Sequence, residues 1–182
     1  MTLSQDDGQL FYKLWLPLLD FVNSKFKVNK VKKMATATSL DPKKVIEVAN
    51  VLWNNVSIID DYIKSNKGKP LDEREKSILS NWKKCVPGRY MIERHLKKGT
   101  IFISMENEQV YLVSGIISGI DEMFFGAPLP LMIEATLIPF ENVIITDGLI
   151  MPYNIFMGPG IKRSFKEKYL EAKNSGEIIT SF

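Results

Sequence analysis

Cysteine occurs once in the 182 residues, at Cys85, and histidine once, at His95. A single thiol excludes an internal disulfide, and a reducing, cytoplasmic setting is the natural expectation. A zinc site needs about four nitrogen or sulfur ligands, or three with an open position. Two such side chains do not supply one, and no Asp-rich loop of EF-hand spacing offers a calcium site. No metal and no cofactor is therefore expected. Long apolar runs are also missing. The longest uncharged window, 148–161, contains Pro152 and Pro159, and it falls short of the roughly 20 apolar residues of a spanning helix. The opening MTLSQDDGQL is acidic and polar rather than basic and then apolar, so no secretory leader is expected. There is no Gly-x-Ser-x-Gly elbow, no phosphate-binding loop pattern, no internal repeat and no low-complexity tract.

What is present divides into two halves. The net charge of +3 conceals an asymmetry: residues 1–86 carry 15 Lys and Arg against 10 Asp and Glu, whereas residues 87–182 carry 9 against 11. The first half has helical periodicity. Leu10, Phe11, Leu14, Trp15, Leu18, Leu19, Val22 and Phe26 mark one face, with Pro17 inside it as an expected kink or start. A second helix opens at Asp41-Pro42, a cap followed by proline at the first helical position. Its face continues through Val45, Ala49, Leu52, Trp53, Val56, Ile59 and Ile63. A third begins at Asp72 and buries Ile78, Leu79, Trp82 and Cys85. These predict a three-helix bundle over residues 1–86.

VPGRY, residues 86–90, reads as a turn and a boundary. Beyond it, YMIERHL, TIFISM, QVYLVSGII, PLMIEATLIPF and NVIIT are rich in β-branched and aromatic residues, as strands are. MENEQ predicts a hairpin turn, and SGIDEMF a single helical turn that Ser118 is able to cap. GIKRSFKEKYLEAKNSG predicts a terminal helix ended by Gly176. Asp147-Gly148 has the composition of a two-residue hairpin turn joining strands 142–146 and 149–155. The expected fold is α+β: a helical domain of residues 1–86, then a β-rich domain of residues 87–182. That second domain is expected as a small, strongly bent antiparallel sheet or partly open β-barrel with a C-terminal helix.

The order of elements in IERHLKKGTIFI, LIPF followed by DG, GPGIKRSFKEKYLEAK and the final GEIITSF resembles a family of conserved bacterial proteins of unknown function, over about residues 89–182. The resemblance implies a small β-rich domain and no activity. A short cysteine-rich zinc motif associated with some members is absent here, so no zinc role carries over.

Three sets of residues are candidates for chemistry. His95 is the natural general base or acid near neutral pH. Glu93, two residues before it, would share its face of a regular strand and orient or charge the ring. No nucleophile accompanies them. Gly160, Lys162 and Arg163 open the terminal helix, where backbone donors attract an anion; cations in a first turn oppose the helix dipole, which argues for an anionic partner. Lys30, Lys32 and Lys33 form the basic stretch that a nucleic-acid binder would use. The reading favoured by these residues is a non-catalytic binding or protein-interaction protein, with a protein partner or self-association in keeping with it. The alternatives are a nucleic-acid binder using the basic helical half, which the separation of charge from aromatic residues disfavours, and an enzyme with His95 in its site.

Overall fold

The computed structural model describes residues 1–31, 33–36, 40–65 and 70–182. The chain forms two compact units: Gln5–Cys85, and Val86–Phe182 together with Met1–Ser4. The first four residues, read from the sequence with the helical half, belong to the sheet unit. Leu3 N donates to Gly115 O at 3.0 Å, and Gly115 N to Met1 O at 3.0 Å.

The helical unit contains four α-helices among the described residues: α1 (Gln5–Phe26), α2 (Pro42–Asn54), α3 (Ile58–Ser65) and α4 (Glu73–Asn81). α1 runs through Pro17 without a break. The expected three-helix arrangement is not what forms, because the second predicted helix is divided at Asn55. There the backbone leaves the helical region, with φ −139° and ψ 53°, and the side-chain amide donates to Val51 O at 2.9 Å. Asparagine competes for backbone partners in this way and favours helix ends. The caps at Asp41 and Asp72 form as the sequence predicts, the second as a reciprocal capping box with Glu75. Trp15 is the centre of the core: its ring stacks on Trp53 at 5.2 Å and meets Trp82 edge-on at 5.9 Å. Phe26, placed on the same face by periodicity, is exposed.

The second unit is a mixed six-stranded sheet with two helices. β1 is Val86–Leu96, β2 Gly99–Ser104, β3 Val110–Ser114, α5 Ile120–Met123, β4 Leu131–Phe140, β5 Val143–Thr146, β6 Met151–Pro152 and α6 Pro159–Ser175. β1 pairs antiparallel with both β2 and β4, so the order β1-β2-β3-β5-β4 returns to β1. The sheet is not purely antiparallel as expected, since β3 and β5 run parallel through Val113↔Ile144 and Ser114↔Ile145. Pro87-Gly88, expected as a turn, lies inside β1 opposite Thr136 and Ala135, and Tyr90 Oη donates to Val86 O at 2.7 Å. Proline is tolerated near a strand's first residue, where a missing donor costs least.

Asp147-Gly148 is not a hairpin turn. Leu137 of β4 bridges Val86 on one edge and Thr146 on the other, and Ile133 bridges Tyr90 and Pro152 in the same way. β5 and β6 therefore lie on the same edge of β4, as two collinear lengths of one strand. Asp147-Gly148 is part of an interruption between them. Asp147 N donates to Thr136 O, its carboxylate accepts from Leu149 N at 3.0 Å, and Gly148 has φ +84°.

Alternation along the strands separates two cores. Tyr90, Ile92, Phe102, Tyr111, Val113, Ile133, Leu137 and Ile144 gather in one. Met91, Ile101, Ile103 and Val110 face the other way and meet Tyr169 and Ala172 of α6. Every residue of β2 is buried, which is why GTIFIS reads as continuous rather than alternating. No described helix is long and apolar enough to cross a membrane.

Candidate functional site

His95 lies near the end of β1, paired with Thr100 of β2. Its Nδ1 is 2.9 Å from Thr100 Oγ1. Burial lowers its pKa below the usual histidine value, and the Asp121 carboxylate opposes that in part. Glu93 does not join it. The β1–β2 register advances two residues on β1 for one on β2 between Ile92 and Arg94, so Glu93 is the extra residue of a bulge and the same-face rule fails. Its carboxylate accepts from both Nε and Nη2 of Arg94, and the Arg94 guanidinium lies 4.2 Å from the centre of the Tyr169 ring. The Glu93–Arg94 pair thus fastens α6 to the sheet.

The second candidate set is divided differently. Gly158 caps α6 without a side-chain bond, and Pro159 takes the first helical position. Gly160 and Arg163 are exposed. Lys162 lines a groove of about 210 Å³ formed between residues 128–131 and 153–157. Its walls are Pro128, Leu129, Pro130, Leu131, Phe156 and Met157, with Tyr153 held by its hydroxyl on Glu134 at 2.9 Å. Lys162 Nζ sits 5.5 Å from the centre of the Phe156 ring, a cation–π arrangement. Phe156 is 84% exposed, and Phe125, three residues before the groove wall begins, is 93% exposed. Two adjacent phenylalanines in FF at 124–125 are the sequence signal for this surface: Phe124 packs against the sheet core, and its neighbour on a short helical turn is then directed elsewhere.

The helical unit holds a larger cleft, about 490 Å³, lined by Tyr12, Lys13, Pro17, Tyr62, Leu71 and Glu75 among others. Burial raises the pKa of both tyrosines, keeping them neutral hydrogen-bonding groups. Of the basic candidates, Lys30 and Lys33 are exposed, and Lys32 falls outside the described residues. Lys25, nearby on α1, is bound to Asp61 at 2.6 Å, and Lys83 to Asp60 at 2.7 Å. The adjacent acids at the start of α3 therefore each hold a lysine from elsewhere in the unit. No three His, Cys, Asp or Glu side chains stand together in a metal-holding group among the described residues.

Compared with family models, curated proteins and solved structures, the chain finds no match.

Proposed function

We propose that this is a non-catalytic protein-interaction protein whose contact surface is the groove beside α6 and the exposed aromatic side chains around it. The carrying observation is the exposure of Phe125 and Phe156, 93% and 84%, next to an apolar groove. Leaving a phenylalanine in water forfeits about 1.5–3 kcal/mol that burial would supply, and apolar surface of this kind marks contact sites. We read the ring of strand pairings as a small, partly open barrel. Barrels of that kind bind through a strand face and through connecting loops. Here α6 covers the outer face of β2 and β3, which leaves loops 124–130 and 153–157 as the contact elements. His95 bonded to Thr100, and Glu93 bonded to Arg94, favour binding over catalysis. The likeness of residues 89–182 to a bacterial family adds no activity to this reading.

A photoreactive phenylalanine analogue placed at position 156 in the producing cells tests it. Discrete protein adducts are expected there, and none from the same probe at Lys43, an exposed position of α2. Absence of adducts at position 156 would remove the basis for the proposal.

A further inference from the structure

We infer that the occupant of this groove is a second copy of the chain, which inserts Phe125 reciprocally. The inference rests on the interaction surface proposed above and names its partner. The groove, about 210 Å³, is smaller than the roughly 300–1,000 Å³ typical of small-molecule pockets. It suits one large side chain. Among the described residues, Lys162 is the only charged residue in its wall, so a complementary occupant presents an apolar anchor with a carboxylate close by. The chain itself carries such a segment. Phe125 projects almost wholly into solvent, and Asp121 and Glu122 precede it on α5, both exposed. Glu122 uses one carboxylate oxygen on Gly119 N at 3.2 Å, and Asp121 is the acid whose charge reaches His95.

Symmetry supplies the second argument. In a two-fold dimer the same patch appears on both sides, so an inserting side chain and its receiving groove must be neighbours on one surface. Only Gly126 and Ala127 separate Phe125 from Pro128, where the groove wall begins. A two-fold axis passing between them seats each Phe125 in the partner's groove. It also brings Asp121 and Glu122 of each copy to the Lys162 of the other. Ile155 and Met123, both about half exposed, lie on the elements that carry the two halves of this contact.

Sedimentation velocity on the full chain, from about 1 μM to about 200 μM, reads the outcome, because an interface of micromolar affinity fills across that range. The wild-type chain is expected to pass from monomer to dimer. Phe125→Ser is expected to stay monomeric with an unchanged melting curve, since so exposed a ring contributes little to the fold. Lys162→Glu is expected to weaken the dimer at least tenfold, and adding Asp121→Lys with Glu122→Lys to restore it. A wild-type chain that stays monomeric, a Phe125→Ser variant that still dimerises, or a charge reversal that restores nothing would each overturn the inference. If the wild-type chain is monomeric while the probe at position 156 captures a different protein, self-pairing fails and the interaction-protein reading stands.

Discussion

The ammonium of Lys13 on α1 stands 2.5 Å from the carboxylate of Glu75 on α4. Glu75 is 6% exposed, and its other oxygen accepts from Asp72 N at 3.0 Å in the capping box. One carboxylate thus closes a helix start and ties two helices together. The two partners differ in exposure, so their removal should differ in cost. Glu75→Ala is expected to destabilise the protein by about 1–3 kcal/mol, through the lost cap and an uncompensated amide donor. Lys13→Met should cost less than Glu75→Ala, because the exposed ammonium gives up little and Glu75 keeps its bond from Asp72 N. Urea denaturation measures both. A larger loss for Lys13→Met than for Glu75→Ala would contradict this account.

His95 gives a pH-dependent expectation. Burial lowers its pKa and Asp121 pulls it partly back. The folded protein therefore binds the proton less readily than the unfolded chain. Stability from the neutral ring is complete above the unfolded value of about 6.5, and it is lost as pH falls from there through the lowered folded value. In the His95→Gln variant this dependence is absent, so the variant should gain stability relative to the wild type as pH is lowered from about 7 to about 5. An NMR titration of the single imidazole should show a midpoint below the ordinary histidine value of about 6.5, moved lower still by Asp121→Asn. A midpoint above the ordinary value would refute the burial argument.

Caps at Asp41 and Asp72, the Gly176 helix stop and the hairpin at 105–109 were legible because each is decided by a few neighbouring residues. Asp147-Gly148 was not. Locally it has hairpin composition, but β4 captures both flanking strands along one edge, a choice made by residues 133–140 rather than by the turn. Glu93 failed for a similar reason: a bulge set by pairing with β2 reverses the alternation on which its pairing with His95 depended. Phe125 was visible as an aromatic residue, but not as an exposed one. Within the interruption between β5 and β6, Gly148 is left-handed, with φ +84°. Gly148→Val should cost about 1–3 kcal/mol through backbone strain. A melting curve indistinguishable from wild type would show that the interruption relaxes freely.

Nucleic-acid binding is one alternative, and the geometry bears on its expected strength. Phosphate contacts supply most non-specific affinity and make it steeply salt-dependent. The basic helical half has fewer free cations than its composition suggests, because Lys13, Lys25, Arg74 and Lys83 are each bound to an acid of the same unit. On the sheet unit, one face of β2 and β3 is covered by α6 instead of displaying aromatic rings for bases to stack on. Lys30 and Lys33 remain exposed, and Lys162 sits over one exposed aromatic ring, enough for weak contacts at low salt. Fluorescence anisotropy with single-stranded and duplex oligonucleotides should detect such binding at about 50 mM salt and lose it at about 200 mM, as counterions compete. Sub-micromolar affinity persisting at the higher salt would reverse the preference for a protein partner. Alanine at Lys30 and Lys33, compared with alanine at Lys162 and Arg163, would then locate the binding face. A loss confined to the first pair assigns it to the helical unit, and a loss confined to the second assigns it to the groove, where Phe156 would stack a base in place of receiving a side chain.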